Sequence, residues 1–213
     1  QRLDLIVRRA DVLAWRLDDP NRAAELFESV RTSDAADQRR KRRATIGLGD
    51  CALLNAAYDD AESLYRRAMQ MSDEQLDHAQ TQARAGSYGY SVEDLLARDS
   101  FDHALRMLDK WEWELPVQKL EGYTFFLRGK VLFVRKPSER ALRFLDLAER
   151  VAPDAMHVPE AVWLRANCLM GLDRHEDALA ELVRIRENFT QSRYYDRAPD
   201  KIEACRAELD NSP

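Results

Sequence analysis

Small and apolar residues recur along this chain in short helical stripes separated by charged positions. From Ala44 to Ala57, Ile46, Leu48, Cys51, Leu53 and Leu54 share helical spacing. A polar break at Tyr58-Asp59-Asp60 follows, and then a second stripe of Ala61, Leu64, Tyr65 and Ala68. Recurrence at three- and four-residue steps predicts two amphipathic helices joined by a tight turn. Asp59 or Asp60 is placed to cap the second, because a short carboxylate accepts from the free N–H groups of a first turn.

The same unit returns along the chain. Ala23, Ala61, Ala104, Ala141 and Ala178 anchor five copies, at spacings of 38, 43, 37 and 37 residues. Each Ala is followed by apolar or aromatic residues on the same helix face: Phe27 and Val30 in the first copy, Leu108 and Trp111 in the third, Leu145 and Ala148 in the fourth, Leu182 and Ile185 in the fifth. A repeat of this length predicts a stack of helical hairpins. Pro20, Pro137 and Pro159 sit near predicted helix starts, where the missing N–H costs nothing. Gly122 to Val134 and Pro159 to Met170 are the predicted first helices of copies four and five.

Copies one and three depart most from the pattern. Copy one offers only Ala23, Phe27 and Val30 after Asp18-Asp19-Pro20. Copy three is longer, and Gly86 and Gly89 interrupt its first helix, which predicts a long or kinked element with Ser91 to Asp94 as an internal capping box. Near the end, Tyr194, Ala198, Ile202, Cys205 and Leu209 give one apolar face, as a helix closing a stack requires.

The motifs resemble those of the tetratricopeptide-repeat (TPR) family. Its signature is a Leu-Gly pair in the first helix, Ala, Phe or Tyr, and Ala in the second, then Pro. Leu48-Gly49 with Ala61, Tyr65 and Ala68 matches it, as do Gly129, Ala141, Ala148 and Pro153. In copy five Ala166 stands for the Gly, and Leu182 and Ile185 replace the aromatic and second Ala. The stretch from Phe189 to Tyr195 loosely resembles repeat ends in bacterial envelope-associated TPR lipoproteins. The resemblance implies an all-α, right-handed superhelical solenoid of antiparallel helix pairs. Its expected repeats are residues 2–33, 35–72, 74–116, 117–153 and 157–190, with a capping helix at about 192–210, all in one domain spanning 1–213.

Bulk properties narrow the function. A net charge of −5 gives no pull toward nucleic acid or anionic membrane. No stretch reaches the roughly 20 apolar residues of a membrane span; Tyr123 to Val134 is broken by Arg128 and Lys130. Cys51, Cys168 and Cys205 form no CxxC pair and read as small core residues. The chain starts at Gln1, so an upstream leader, anchor or domain is left open, and with it a cytoplasmic or a bacterial periplasmic or envelope location.

Candidate chemistry is sparse. Gly47-Leu48-Gly49-Asp50-Cys51-Ala52 fits a dinucleotide pattern but lies inside a predicted helix instead of after a strand, so helix packing explains its glycines. The run Arg39 to Arg43 is the sharpest charge feature. On a helix its members point ~100° apart, so they cannot share a face, and Asp34, Asp37, Asp50 and Glu74 are near in sequence. His78, His103, His157 and His175 show no metal-binding spacing. His175-Glu176-Asp177 reads as a helix start. Gly86-Ser87-Tyr88-Gly89 is not a nucleophile elbow. No catalytic, cofactor or metal site is expected, and no enzyme.

In TPR stacks the first helix of each repeat lines the inner wall. The resemblance, with helical spacing, puts Tyr123, Phe126, Lys130 and Phe133 there in copy four, and Glu160, Trp163, Asn167 and Met170 in copy five. Copy two contributes Arg43, Ile46, Asp50 and Leu53. The expected partner-binding set is Tyr123, Phe126, Lys130, Phe133, Trp163, Asn167 and Met170, a groove for a peptide or amphipathic helix. Packing between repeats is the competing role for Phe126, Phe133 and Trp163. Only Lys130 and Asn167 suit a carboxylate clamp, which argues against that mode. The expectation is a non-enzymatic adaptor for a protein or peptide partner. The alternatives are a regulatory or sensor module of a longer protein and a structural unit that self-associates through its first repeat.

Overall fold

A computed structural model describes residues 2–72 and 74–210. Its regular elements are helices: α1 (Arg2–Trp15), α2 (Pro20–Arg31), α3 (Gln38–Leu54), α4 (Tyr58–Gln70), α5 (His78–Ala97), α6 (Phe101–Glu114), a short 3-10 turn (Pro116–Glu121), α7 (Tyr123–Arg135), α8 (Glu139–Val151), α9 (Val158–Met170), α10 (His175–Asn188) and α11 (Ala198–Asp210). No strand occurs among the described residues. The closing helix begins at Ala198, just ahead of Pro199, because a proline is accepted only in a first turn.

The chain divides into two compact units. The first holds residues 1–85 and 110–120, and the second 86–109 and 121–213. In the first, α1 packs on α2, α2 on α3 and α3 on α4, with α1 also against α3. In the second, α7 to α11 pack each on the next, and α7 also meets α9. Within each unit, contact between successive hairpins through both a second and a first helix is the stack of helical hairpins that the repeats predict.

The anchors earn their spacing by burial. Ala23, Ala61, Ala104, Ala141 and Ala178 are all 0% exposed, and their partners Phe27, Tyr65, Leu108, Leu145 and Leu182 are closed off with them. In α3 a Cβ on Gly47 would stand 2.5 Å from the Phe27 ring, and one on Gly49 2.5 Å from Tyr65. Close helix approach thus accounts for both glycines of the dinucleotide-like pattern. Cys51, Cys168 and Cys205 are buried free thiols.

A further repeat signal lies in the turns. Asp18, Ala56, Asp99 and Asp173 have φ of 55°, 59°, 54° and 59°. Each stands five residues before its anchor alanine. The next residue's N–H reaches back beyond a helical turn in every case: five positions from Ala57 to Ala52 O, Ser100 to Leu95 O and Arg174 to Leu169 O, and six from Asp19 to Leu13 O. This is a left-handed helix end built without glycine, mostly on Asp, whose short side chain tolerates that region.

Three local expectations are corrected. α5 runs unbroken through Gly86 and Gly89, and Ser91 Oγ donates to Ser87 O 2.8 Å away, so Ser91 braces a helix interior instead of capping a start. Asp59 and Asp60 lie inside the first turn of α4, whose cap position is Ala57, so they face the helix dipole without capping it. By contrast Asp19, Asp37 and Ser138 do cap α2, α3 and α8, accepting from Arg22, Arg40 and Ala141 N–H. The copy-two wall is the third: Ile46, Asp50 and Leu53 are 1–2% exposed and present nothing, leaving only Arg43 partly open.

Candidate functional site

The expected set falls on two neighbouring helices of the second unit, α7 and α9. Gly122 starts α7 with φ 72°, and a Cβ there would stand 2.6 Å from Ala148 O and 3.3 Å from His157 Nε2. Only glycine permits that conformation so close to a neighbour. The entry brings Tyr123 and Phe126 against His157, the residue preceding α9. Phe126 stacks on His157 at 5.2 Å, and Tyr123 stacks on Phe126 at 5.8 Å and tilts over His157 at 5.7 Å.

Phe126 is only 2% exposed. It supports the ridge from beneath and has no surface to offer a partner. Tyr123, Lys130, Phe133, Trp163, Asn167 and Met170 are all half-buried, each with one side open. Phe133, Trp163 and Met170 rest on the core formed by Val158, Val162, Ala166 and Leu169. Asn167 Nδ2 donates to Trp163 O at 2.6 Å, which leaves its carbonyl oxygen for other use.

Charges organise this ridge. Lys130 Nζ lies 3.0 Å from Glu160 on α9 and 3.7 Å from Glu93, and 5.4 Å above the Phe126 ring. Tyr123 OH lies 3.4 Å from Glu93. Burial, with Glu93 adding to it, pushes the Tyr123 phenol up to about 12, so it stays a hydrogen-bond donor at neutral pH. Arg193 donates to Glu160 at 2.9 Å and to Tyr194 OH at 2.5 Å. Tyr194 stacks on Trp163 at 5.2 Å, and Lys201 Nζ lies 5.5 Å from the Trp163 ring centre. Burial lowers the His157 pKa, against a weaker upward pull from Glu160.

No protein-family model matches this chain, and no curated protein matches it. Among solved structures, MamA from AMB-1 superposes with a TM-score of 0.42 at 17% identity, covering 90% of this chain and 93% of that one. The TPR2AB domain of yeast Sti1, solved in complex with pHSP90, gives a TM-score of 0.48 at 12% identity, covering 98% of this chain and 86% of that one. Both are TPR-type proteins.

Glu93, His157, Arg193 and Tyr194 complete the ridge, and sequence spacing on α7 and α9 alone does not reach them. They come from α5, from the turn before α9 and from the segment before α11. The one available signal was His157, directly before the Val158-Pro159 helix start.

The basic run resolves by pairing, with Asp37 from among the acids near it in sequence and with Asp4 and Asp11 from α1. Arg40 bridges Asp4 and Asp37 at 2.9 and 2.6 Å, and Arg43 meets Asp11 at 2.5 Å. Arg42 is buried, donating to Ala68 O and Trp113 O while its guanidinium lies 4.3 Å from the Trp113 ring centre. A groove of about 520 Å³ beside these residues is lined by Asp4, Arg8, Asp11, Arg39, Arg43 and Trp113. Deeper in the same unit, the buried Lys119 and Asp50 pair at 2.6 Å, and Tyr65 OH donates to the same carboxylate at 2.7 Å. No group of three or more His, Cys, Asp or Glu able to hold a metal occurs among the described residues. No described helix is long and apolar enough to cross a membrane.

Proposed function

We propose that this chain is a non-enzymatic interaction module that holds a peptide or helix of a protein partner along the α7–α9 ridge. The observation that carries this reading is the half-open row of Tyr123, Lys130, Phe133, Trp163, Asn167 and Met170 on adjacent helices. None of these is a repeat anchor; Phe133, Trp163 and Met170 rest on the core with one side and leave the other open. Large amphipathic side chains on a rigid base are the usual anchors of protein recognition. Phe133 and Met170 offer apolar contact, Asn167 an amide, and Lys130 a cation already balanced by Glu93 and Glu160. An occupant suited to this ridge has an apolar stripe flanked by mixed charge.

The test starts from a partner recovered with the full chain. Phe133→Ser combined with Met170→Lys changes open side chains and is expected to weaken binding at least tenfold while leaving helical circular dichroism unchanged. Unchanged affinity in a folded double variant removes the site assignment.

A further inference from the structure

The first and last helices carry opposite charge on their free faces. Arg2, Arg9 and Arg16 stand seven residues apart and are all exposed. Arg16 continues the α1 spiral through its N–H bond to Val12 O. Beside that row run Leu5 and Val12, also seven apart, which are 64% and 41% exposed. Both acids of α1 are turned away: Asp4 pairs with Arg40 and Asp11 with Arg43, both on α3. The outward ridge of α1 is therefore aliphatic and purely cationic, and Arg2, Arg9 and Arg16 form no ion pair among the described residues.

On α11, Ala198 and Cys205 face the core, with Ile202 packed against it. The opposite side exposes Asp200, Glu203, Ala204, Ala207 and Asp210. These three acids also form no ion pair among the described residues. Arg206 is the one exposed cation of the helix, and Glu208 is a further exposed acid. Small residues flanked by acids on one helix complement aliphatic residues flanked by arginines on another.

We propose that copies of this chain join head to tail, the α1 ridge of one copy seating on the α11 face of a second. Leu5 and Val12 cover Ala204 and Ala207, and Arg2, Arg9 and Arg16 meet Asp200, Glu203 and Asp210. The two faces differ, so the contact is heterologous and each joined pair keeps one free end of either kind. A single helix against a single helix is a small interface, so the association is weak and falls with salt. This inference stands independently of the ridge on α7 and α9.

Sedimentation velocity on the full chain tests it, at concentrations from about 10 μM to about 1 mM, in low and in high salt. The expected result is a mass that climbs with concentration in low salt and stays monomeric in high salt. The set Arg2→Glu, Arg9→Glu, Arg16→Glu and the set Asp200→Lys, Glu203→Lys, Asp210→Lys are each expected to be monomeric alone. Mixed one to one, they offer one intact pair of faces and a second pair with both charges reversed, and are expected to regain the association that each has lost alone. The neutral sets, with Gln and Asn at the same positions, move in the same direction more weakly and guard against misfolding by charge reversal. A wild-type chain that remains monomeric throughout overturns the proposal. So does a mixture that remains monomeric, or a wild-type chain that binds phosphatidylserine vesicles through α1 without associating with itself.

Discussion

The two best-formed hairpins, α3–α4 in the first unit and α7–α8 in the second, share their repeat anchors and differ in what fills the space around them. In both, a glycine of the first helix lies under a large side chain of the second: Gly49 under Tyr65, and Gly129 under Leu145. Beyond that, α3 closes around charge. Asp50, Lys119 and Tyr65 form a buried hydrogen-bonded triad, and burial with the Asp50 charge drives the Tyr65 phenol well above its ordinary range. α7 closes around rings, with Phe126 between Tyr123 and His157. The anchors set the stack, and the positions between them are free to become either a sealed polar core or a half-open ridge.

That contrast is broken most severely by removing one member of either cluster. Lys119→Ala leaves the Asp50 carboxylate buried without its cation and is expected to cost about 3–5 kcal/mol. Replacing Asp50, Lys119 and Tyr65 together by Leu, Met and Phe is expected to cost less, since only Glu112, 3.8 Å from Lys119, then loses a cation. Phe126→Ala is expected to cost about 3–5 kcal/mol through a cavity, with no such rescue by a polar partner. Urea denaturation followed by tryptophan fluorescence measures all three.

Smaller changes sharpen the picture. Gly49→Ala drives a Cβ into the Tyr65 ring and is expected to lose about 1–3 kcal/mol. Ala56→Gly relieves an alanine held at φ 59° and is expected to gain roughly 1 kcal/mol, the same denaturation curve shifting upward. Acidification separates the units more gently. The folded state lowers the His157 pKa by burial, so protons bind the unfolded chain first. Stability tied to His157 is therefore complete above its unfolded pKa of about 6.5 and lost as pH falls toward the lower folded value. Hydrogen exchange should show the second unit loosening on that descent, and His157→Phe should remove this component.

The legible part of the fold was the part that repeats. Five alanines at near-constant spacing, each with an apolar residue a turn later, can be read from one sequence because every copy restates the same packing demand. The turns were less legible. Of the four left-handed positions that precede an anchor alanine, three are Asp and one is Ala, and no glycine marks them. The triad was invisible because Lys119 lies 69 residues from Asp50 and resembles any surface lysine between helices. The ridge was half legible. Helical spacing put Tyr123, Lys130, Trp163 and Asn167 on shared faces, but it could not show that His157, arriving from a turn, would cover Phe126. The basic run was half legible: neighbours on a helix must point to different places, but Asp4 and Asp11 lie on α1, more than 30 residues away.

The most direct measurement places a photo-crosslinking phenylalanine analogue at Phe133 and at Met170, with exposed Val134 and Met156 as controls, in the full chain exposed to its recovered partner. Crosslinks from 133 and 170 to one continuous segment of that partner, with little from 134 or 156, are the expected result. Crosslinks from the controls alone, or to scattered segments from every position, contradict a binding ridge on α7 and α9.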